Sequence, residues 1–242
     1  MTKITPLKEG TFTVGHDKIF RQIDIDKEDL NKRATGSLLV EIQPFLIQTQ
    51  GVNILLDTGL GFKNPQTGKY QLIELIENQG INTNDIDIVL LSHLHKDHAG
   101  GLHLDWFPQA KFYIYKKEVE YAKEKGFPSY YWEDIAPLVE HPRVTLLEEE
   151  AGTITEFIHY QHTGGHSPYH IAIWIETEDD IIFFGGDEAP QKRQMQVKYV
   201  AKYDFDGKKA MQWREEWAEK GKEQNWTFLF YHDPKNPVSK LK

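Results

Sequence analysis

Apolar residues in this chain fall into short runs bounded by turn-forming residues, and few stretches keep a helical period. Residues 37–49 and 52–57 are rich in β-branched and apolar side chains and break at Gln50-Gly51, which predicts strands joined by a hairpin. Residues 86–92, 111–115, 143–147 and 153–160 read as further strands, 169–176 and 180–184 as a hairpin across Thr177-Glu178-Asp179, and 226–231 as a closing strand. The period changes over 70–79, where Leu72, Ile73, Leu75 and Ile76 precede a stop at Gly80. It changes again over 116–125, closed by Gly126, and over 208–220, where Ala210, Trp213 and Trp217 share a face. These three stretches are predicted helices. Strands in runs, with helices in both halves, suggest an α/β molecule of two sheets packed face to face with helices outside. No linker, low-complexity tract or repeat interrupts residues 1–242, so one domain is expected.

Composition narrows the class. The chain has 242 residues, 39% hydrophobic and 27% charged, the balance of an ordinary globular protein. Its formal net charge of -9 disfavours nucleic acid or an anionic membrane as partner and favours a small-molecule substrate. With no cysteine, disulfides, thiolate zinc sites and cysteine nucleophiles are excluded. Residues 1–6 hold no apolar signal core and no apolar run approaches a membrane span. A cytoplasmic chain, monomer or homodimer, is therefore expected. Asn225-Trp226-Thr227 matches a glycosylation sequon, but it lies inside an apolar strand pattern and carries no weight without an export signal.

The chemistry concentrates in Ser92-His93-Leu94-His95-Lys96-Asp97-His98-Ala99-Gly100-Gly101, where an apolar run ends in the pattern H-x-H-x-D-H. Imidazole and carboxylate are donors that zinc, iron and manganese accept. His93 and His95 are two apart, so on extended backbone they point to the same side. Asp97 and His98 follow where the chain turns toward Gly100-Gly101. One pair can serve one metal and the other pair a second. A polar loop after a strand is the plain alternative, but this pattern is rare by chance.

Four residues are too few for two ions, which need about four to five donors each, some shared or from water. Three more apolar strands run out into ligand-type residues: Thr163-Gly164-Gly165-His166-Ser167, Phe183-Phe184-Gly185-Gly186-Asp187 and Phe230-Tyr231-His232-Asp233-Pro234. Singly, each reads equally as a turn residue, a strand-terminal aspartate or a capping histidine. Together and in this order they reinforce one another.

This set resembles the metallo-β-lactamase superfamily over nearly the whole chain, from Leu55-Leu56-Asp57-Thr58-Gly59 to the last strand. The resemblance implies a four-layer αββα sandwich with a dinuclear site at the edge between the sheets. It implies that His93, His95 and His166 hold one metal, that Asp97, His98 and His232 hold the second, and that Asp187 bridges. The implied cofactors are two divalent ions, zinc before iron or manganese, which such donors do not separate by type. Asp57 falls on the family's acidic residue that supports the site without ligating, by fixing an imidazole tautomer. The triplet Asp-Thr-Gly also occurs in aspartic proteases, whose chemistry needs two aspartates sharing a proton. His170 reads as a supporting residue, and His16, His103, His141, His159 and His162 as surface or packing residues.

Within the superfamily the chain is most similar to the N-acyl homoserine lactone lactonase-like group, which includes organophosphate-hydrolysing relatives. The similar features are His-Leu-His-x-Asp-His-Ala-Gly-Gly, Thr-x-Gly-His-Ser and the apolar strand ending in His232-Asp233. β-Lactamases lack a bridging aspartate at the place of Asp187 and are exported. Thioesterases of the glyoxalase II type carry a helical carboxy-terminal region, and RNA-processing members want a basic surface. Persulfide dioxygenases use one metal, and diiron electron-transfer members replace the histidine at the place of His95. One departure stands out. Lactonases place a tyrosine shortly after the bridging aspartate, where this chain has Asp187-Glu188-Ala189-Pro190, with Tyr199 and Tyr203 further on.

The resemblance thus implies a dinuclear hydrolase in which a metal-bridging hydroxide attacks a lactone or carboxylic ester and Asp97 carries the proton to the leaving oxygen. Phosphotriester or thioester hydrolysis is the alternative on the same fold. A metal-dependent oxidoreductase or a non-catalytic metal-binding member is the alternative of a different class. Loops 16–34, 126–142 and 189–207 are expected to shape the pocket and to bring Tyr130, Tyr131, Trp132, Met195 and Tyr199 toward an acyl group.

Overall fold

The computed structural model describes residues 2–242. One six-stranded sheet has the order β1 (Lys3–Pro6), β5 (Phe45–Thr49), β6 (Val52–Leu56), β7 (Ile88–Leu90), β8 (Lys111–Tyr115), β9 (Val144–Leu147). Between β1 and β5 the chain forms a three-stranded sheet, ordered β3 (Phe20–Gln22), β2 (Gly10–Val14), β4 (Leu38–Ile42). The second six-stranded sheet runs in chain order: β10 (Ala151–Thr155), β11 (Ile158–His162), β12 (Ile171–Glu176), β13 (Ile181–Phe184), β14 (Thr227–Leu229), β15 (Val238–Ser239). Five α-helices lie among the described residues: α1 (Gln71–Glu77), α2 (Lys96–Ala99), α3 (Lys116–Lys125), α4 (Trp132–Ile135) and α5 (Gly207–Glu223).

The helices lie where parallel pairing requires a crossover. Strands β6 and β7 are parallel and α1 connects them; β8 and β9 are parallel with α3 and α4 between; β13 and β14 are parallel and α5 spans the gap. A crossover helix must lie against a face of its sheet, so each sheet gains one helical layer.

Period-two alternation sorts the strand residues into separate layers. Phe45, Ile47, Ile54 and Leu56 of the first sheet meet Ile173, Ile175, Ile182 and Phe184 of the second. Their neighbours Leu46, Leu55, Val89 and Phe112 turn the other way, onto Leu72 and Ile76 of α1 and Val119 and Ala122 of α3. On the far side Ala172, Phe183 and Phe228 face Trp217 and Ala218 of α5. The result is the four-layer αββα sandwich expected from the sequence. Each fully buried Leu, Ile, Val or Phe among them contributes about 1.5–3 kcal/mol of hydrophobic stabilisation.

Two expected strands divide. Residues 37–49 become β4 and β5 in different sheets, because Pro44 has no N–H for a ladder. At that corner the Gln43 side-chain amide donates to the carbonyls of Phe230 (2.9 Å) and Asp233 (2.8 Å), tying the bend to the end of β14. Residues 153–160 become parts of β10 and β11, which pair as a hairpin. The turn expected at Gln50-Gly51 joins β5 to β6, with both residues left-handed at φ 52 and 77. No helix among the described residues is long and apolar enough to cross a membrane.

Candidate metal centre

Strand β7 delivers the histidine-rich loop, and the loop after β6 packs directly on it. The Thr58 N–H and hydroxyl both donate to the His98 carbonyl, at 2.7 and 3.0 Å. The Gly100 N–H donates to the Gly59 carbonyl at 2.8 Å. This approach requires the paired glycines of the motif. A Cβ on Gly100 would lie 2.2 Å from the Leu60 carbonyl oxygen, and one on Gly101 2.3 Å from that of Thr58.

Hydrogen bonds behind the rings assign their tautomers. Ser92 donates both its N–H and its hydroxyl to Asp57 at 2.7 Å, so the Ser92 oxygen accepts from His93 Nδ1–H at 3.1 Å. His98 Nδ1–H donates to Asp57 Oδ2 at 2.7 Å. His166 Nδ1–H donates to Asp204 Oδ1 at 3.0 Å, and His232 Nδ1–H to the Glu41 carbonyl at 2.7 Å. Each ring therefore spends its Nδ1 on this outer bond and turns its Nε2 to the interior of the site. Asp57 does this from a left-handed backbone, φ 57, which costs a non-glycine residue on the order of 1 kcal/mol.

The inward atoms form two groups. His93 Nε2 and His166 Nε2 lie 2.9 and 3.1 Å from His95 Nδ1. His98 Nε2 and His232 Nε2 lie 3.2 and 3.0 Å from Asp187 Oδ1, and 3.8 and 3.5 Å from Asp97 Oδ2. The other Asp187 oxygen is 3.3 Å from His166 Nε2, so this carboxylate faces both groups.

These donors fit divalent cations. His98 Nε2 and Asp187 Oδ1 are buried and have no hydrogen-bond partner, a penalty that a cation between them removes. The donor atoms of His93, His95 and His166 lie within 4.8 Å of one another, as do those of Asp97, His98 and His232 and those of His93, His98 and Asp187. Mixed nitrogen and oxygen donors suit zinc, iron or manganese. Burial pushes His93 and His95 well below the usual imidazole range, and the neighbouring rings add to it. Burial opposes the charged form of His98 too, but Asp187, Asp97 and Asp57 hold it well above that range. For Asp187, the nearby His232, His98 and His166 outweigh burial and hold the carboxylate well below its usual range.

Of the residues singled out in the sequence, His93, His95, Asp97, His98, His166, Asp187 and His232 converge here, with Asp57 behind His98 and His170 behind Asp187. The aromatic wall expected from 126–142 does not. Tyr130 is buried with its ring 4.9 Å from that of His95, and Trp132 packs with the helices of the first sheet. Tyr131 is exposed, beneath the Lys96 ammonium at 4.3 Å, and Met195 is core outside the second sheet. Helix α4 packs Trp132 and Ile135 of this stretch onto the core of the first sheet. The cavity over the donors is walled by Val14, Phe20, Leu38 and Val40 of the three-stranded sheet, with Lys18 and Tyr203. Tyr199 lines an adjoining hollow with Tyr203 and His232. His141, His159 and His162 bond elsewhere, to Arg143, Thr153 and Glu150.

Comparison with known proteins agrees with this fold. An N-acyl homoserine lactonase of Bacillus thuringiensis is 27% identical over 174 residues, 64% of this chain and 66% of that protein. One from Bacillus cereus matches to the same extent, so this chain spans just under two thirds of the length of these relatives. A probable metal-dependent hydrolase from Staphylococcus aureus superposes with a TM-score of 0.79 at 24% identity, covering 99% of this chain and 92% of that one. A dizinc quorum-quenching lactonase in complex with a product superposes with a TM-score of 0.71 at 20% identity, covering 99% and 90%. At these identities the structures speak for the fold. Residues 41–232 match the family model described as metallo-beta-lactamase superfamily, a span that runs from the end of β4 through His232, and the chain belongs to that superfamily.

Proposed function

We propose that this chain is a dinuclear metal-dependent hydrolase acting on a lactone or carboxylic ester. The observation that carries the reading is Asp187, which turns one oxygen to His98 and His232 and the other to His166. In this reading His93, His95 and His166 would hold one ion, Asp97, His98 and His232 would hold the other, and Asp187 would serve both. Two divalent ions held there, zinc in the first instance, would supply hydroxide at neutral pH and a Lewis acid for the carbonyl.

The chain's own residues do the rest. A carboxylate oxygen of Asp97, at the cavity floor, takes the proton of the attacking water and returns it to the leaving oxygen. Tyr203 lines the same cavity, and burial together with Asp187 pushes its phenol well above the ordinary range. It therefore stays protonated and donates to the oxygen that gains charge, from a loop beyond the Pro190 position. Val14, Phe20, Leu38 and Val40 offer an apolar wall for an acyl group. The test is a panel of lactones, alkyl and aryl esters, thioesters and phosphotriesters, assayed with protein of known metal content. Faster turnover of a lactone or ester than of any other class is expected; preference for a phosphotriester or thioester overturns the substrate class and leaves the metal site standing.

A further inference from the structure

The outer face of α3 is charged and exposed, yet Glu118 in its first turn is 1% exposed. Burial pushes this carboxyl above its usual range, and no cation pairs with it among the described residues. Its two oxygens reach away from its own helix. Oε1 accepts the Leu94 N–H at 3.0 Å, and Oε2 accepts the Ser167 hydroxyl at 3.1 Å. Leu94 stands between His93 and His95, and Ser167 follows His166. One buried carboxylate thus spans the two chain segments that carry the first group of donors. Tyr130, whose ring backs His95, is pushed up by burial and by this same carboxylate.

The contrast with the second group is informative. There Asp57 bonds directly to the His98 ring and to Ser92. In the first group Ser92 and Asp204 steady individual rings, but each touches one segment. Glu118 alone among these supports bonds to both segments, to the Leu94 backbone in one and to the Ser167 hydroxyl in the other. A helix-capping role would engage the N–H groups of α3 itself, and neither oxygen does so.

We propose that Glu118 is a positioning residue for the first metal site, acting on His93, His95 and His166 and not on Asp97, His98 and His232. This rests on the dinuclear reading above. Outer supports of metal ligands commonly change affinity about 10–100-fold when removed. A glutamine keeps the shape but offers one accepting oxygen where two donors converge.

The experiment is stepwise titration of metal-free protein with zinc against a competing chelator, with the visible spectrum of the cobalt-substituted protein recorded in parallel. Glu118→Gln should weaken one ion about 10–100-fold and leave the other within about twofold, with an altered spectrum for the weakened site only. Asp57→Asn should weaken the other ion more than this one, since Asp57 bonds the His98 ring directly and reaches His93 only through Ser92. Ser167→Ala, which removes one of the two bonds and keeps the other to Leu94, should shift the same ion as Glu118→Gln by less, and it serves if Glu118→Gln does not fold. Equal weakening of both ions, or no change in either, overturns the proposal. Wild-type protein that takes up a single ion overturns the dinuclear reading instead, and the Glu118→Gln effect on that ion still decides the role of Glu118; wild-type protein that binds none overturns both.

Discussion

His170 and Asp187 are joined through the backbone of the aspartate: the Asp187 N–H donates to His170 Nε2 at 3.2 Å. The Thr163 hydroxyl, which donates to Glu188 at 2.7 Å, accepts from His170 Nδ1–H at 3.0 Å and so fixes the ring as an acceptor on its other side. Burial and the neighbouring His166 push His170 well below the usual imidazole range. It is a neutral ring that sets where Asp187 sits. His170→Ala should lower metal affinity about 10–100-fold at both sites, since Asp187 faces both, as read by chelator competition. An effect on one site alone would contradict the shared role of Asp187.

Metal content separates ligands from other histidines. Protein purified without chelator should hold about two equivalents of divalent metal by elemental analysis. His93→Ala and Asp187→Ala should lose metal and abolish hydrolysis, whereas His141→Ala and His159→Ala should do neither, since their rings bond to Arg143 and Thr153. Loss of metal from His159→Ala as severe as from His93→Ala would show the site to be misassigned.

Asp97 is expected to move a proton as well as to coordinate. Removing such help typically costs about 10²–10⁴-fold in rate, most for poor leaving groups. At matched metal occupancy, Asp97→Asn should slow alkyl esters and lactones far more than aryl esters, whose phenolate leaves without protonation. Equal losses on both classes would reduce Asp97 to a ligand.

Glu9 gives a pH-dependent stability. It is buried beside Gly59, one oxygen accepts the Leu60 N–H at 2.8 Å, and the other has no partner. Burial pushes the carboxyl up to about 8, against a relief from the Leu60 bond. The folded protein therefore keeps this proton after the unfolded chain has released it. Stability from the neutral form is complete below about pH 4.5 and is lost as pH rises to about 8, a total on the order of 5 kcal/mol at most. Glu9→Gln should match wild type near pH 4 and exceed it above pH 8 in thermal melts of the metal-free protein. A constant difference across that window would show that Glu9 is not the titrating group.

How much of this the chain disclosed depends on sequence distance. His93 to His98 were legible because the donors are contiguous after an apolar run, and His166, Asp187 and His232 because each closes a strand. Asp204 was not, and Tyr203 could not be separated from Tyr199, because their place depends on pairing between loops. The Phe205 N–H donates to the His166 carbonyl at 3.0 Å and the Asp206 N–H to that of Gly165 at 2.7 Å, contacts across some forty residues that no local pattern encodes. Tyr130, Trp132 and Met195 misled because an aromatic or sulfur side chain near a site reads alike whether it faces the cavity or the core. The split at Pro44 was visible as a residue but not as a change of sheet.

The donors also divide by sheet. His93, His95, Asp97 and His98 hang from the first sheet, whereas His166, Asp187 and His232 hang from the second. Any ion gripped by such a set is a rivet through the seam of the sandwich. Stripping it should loosen the two halves against each other at that edge, so that protease cleavage of the metal-free protein starts in the loops flanking the seam while the distant edge strands stay protected.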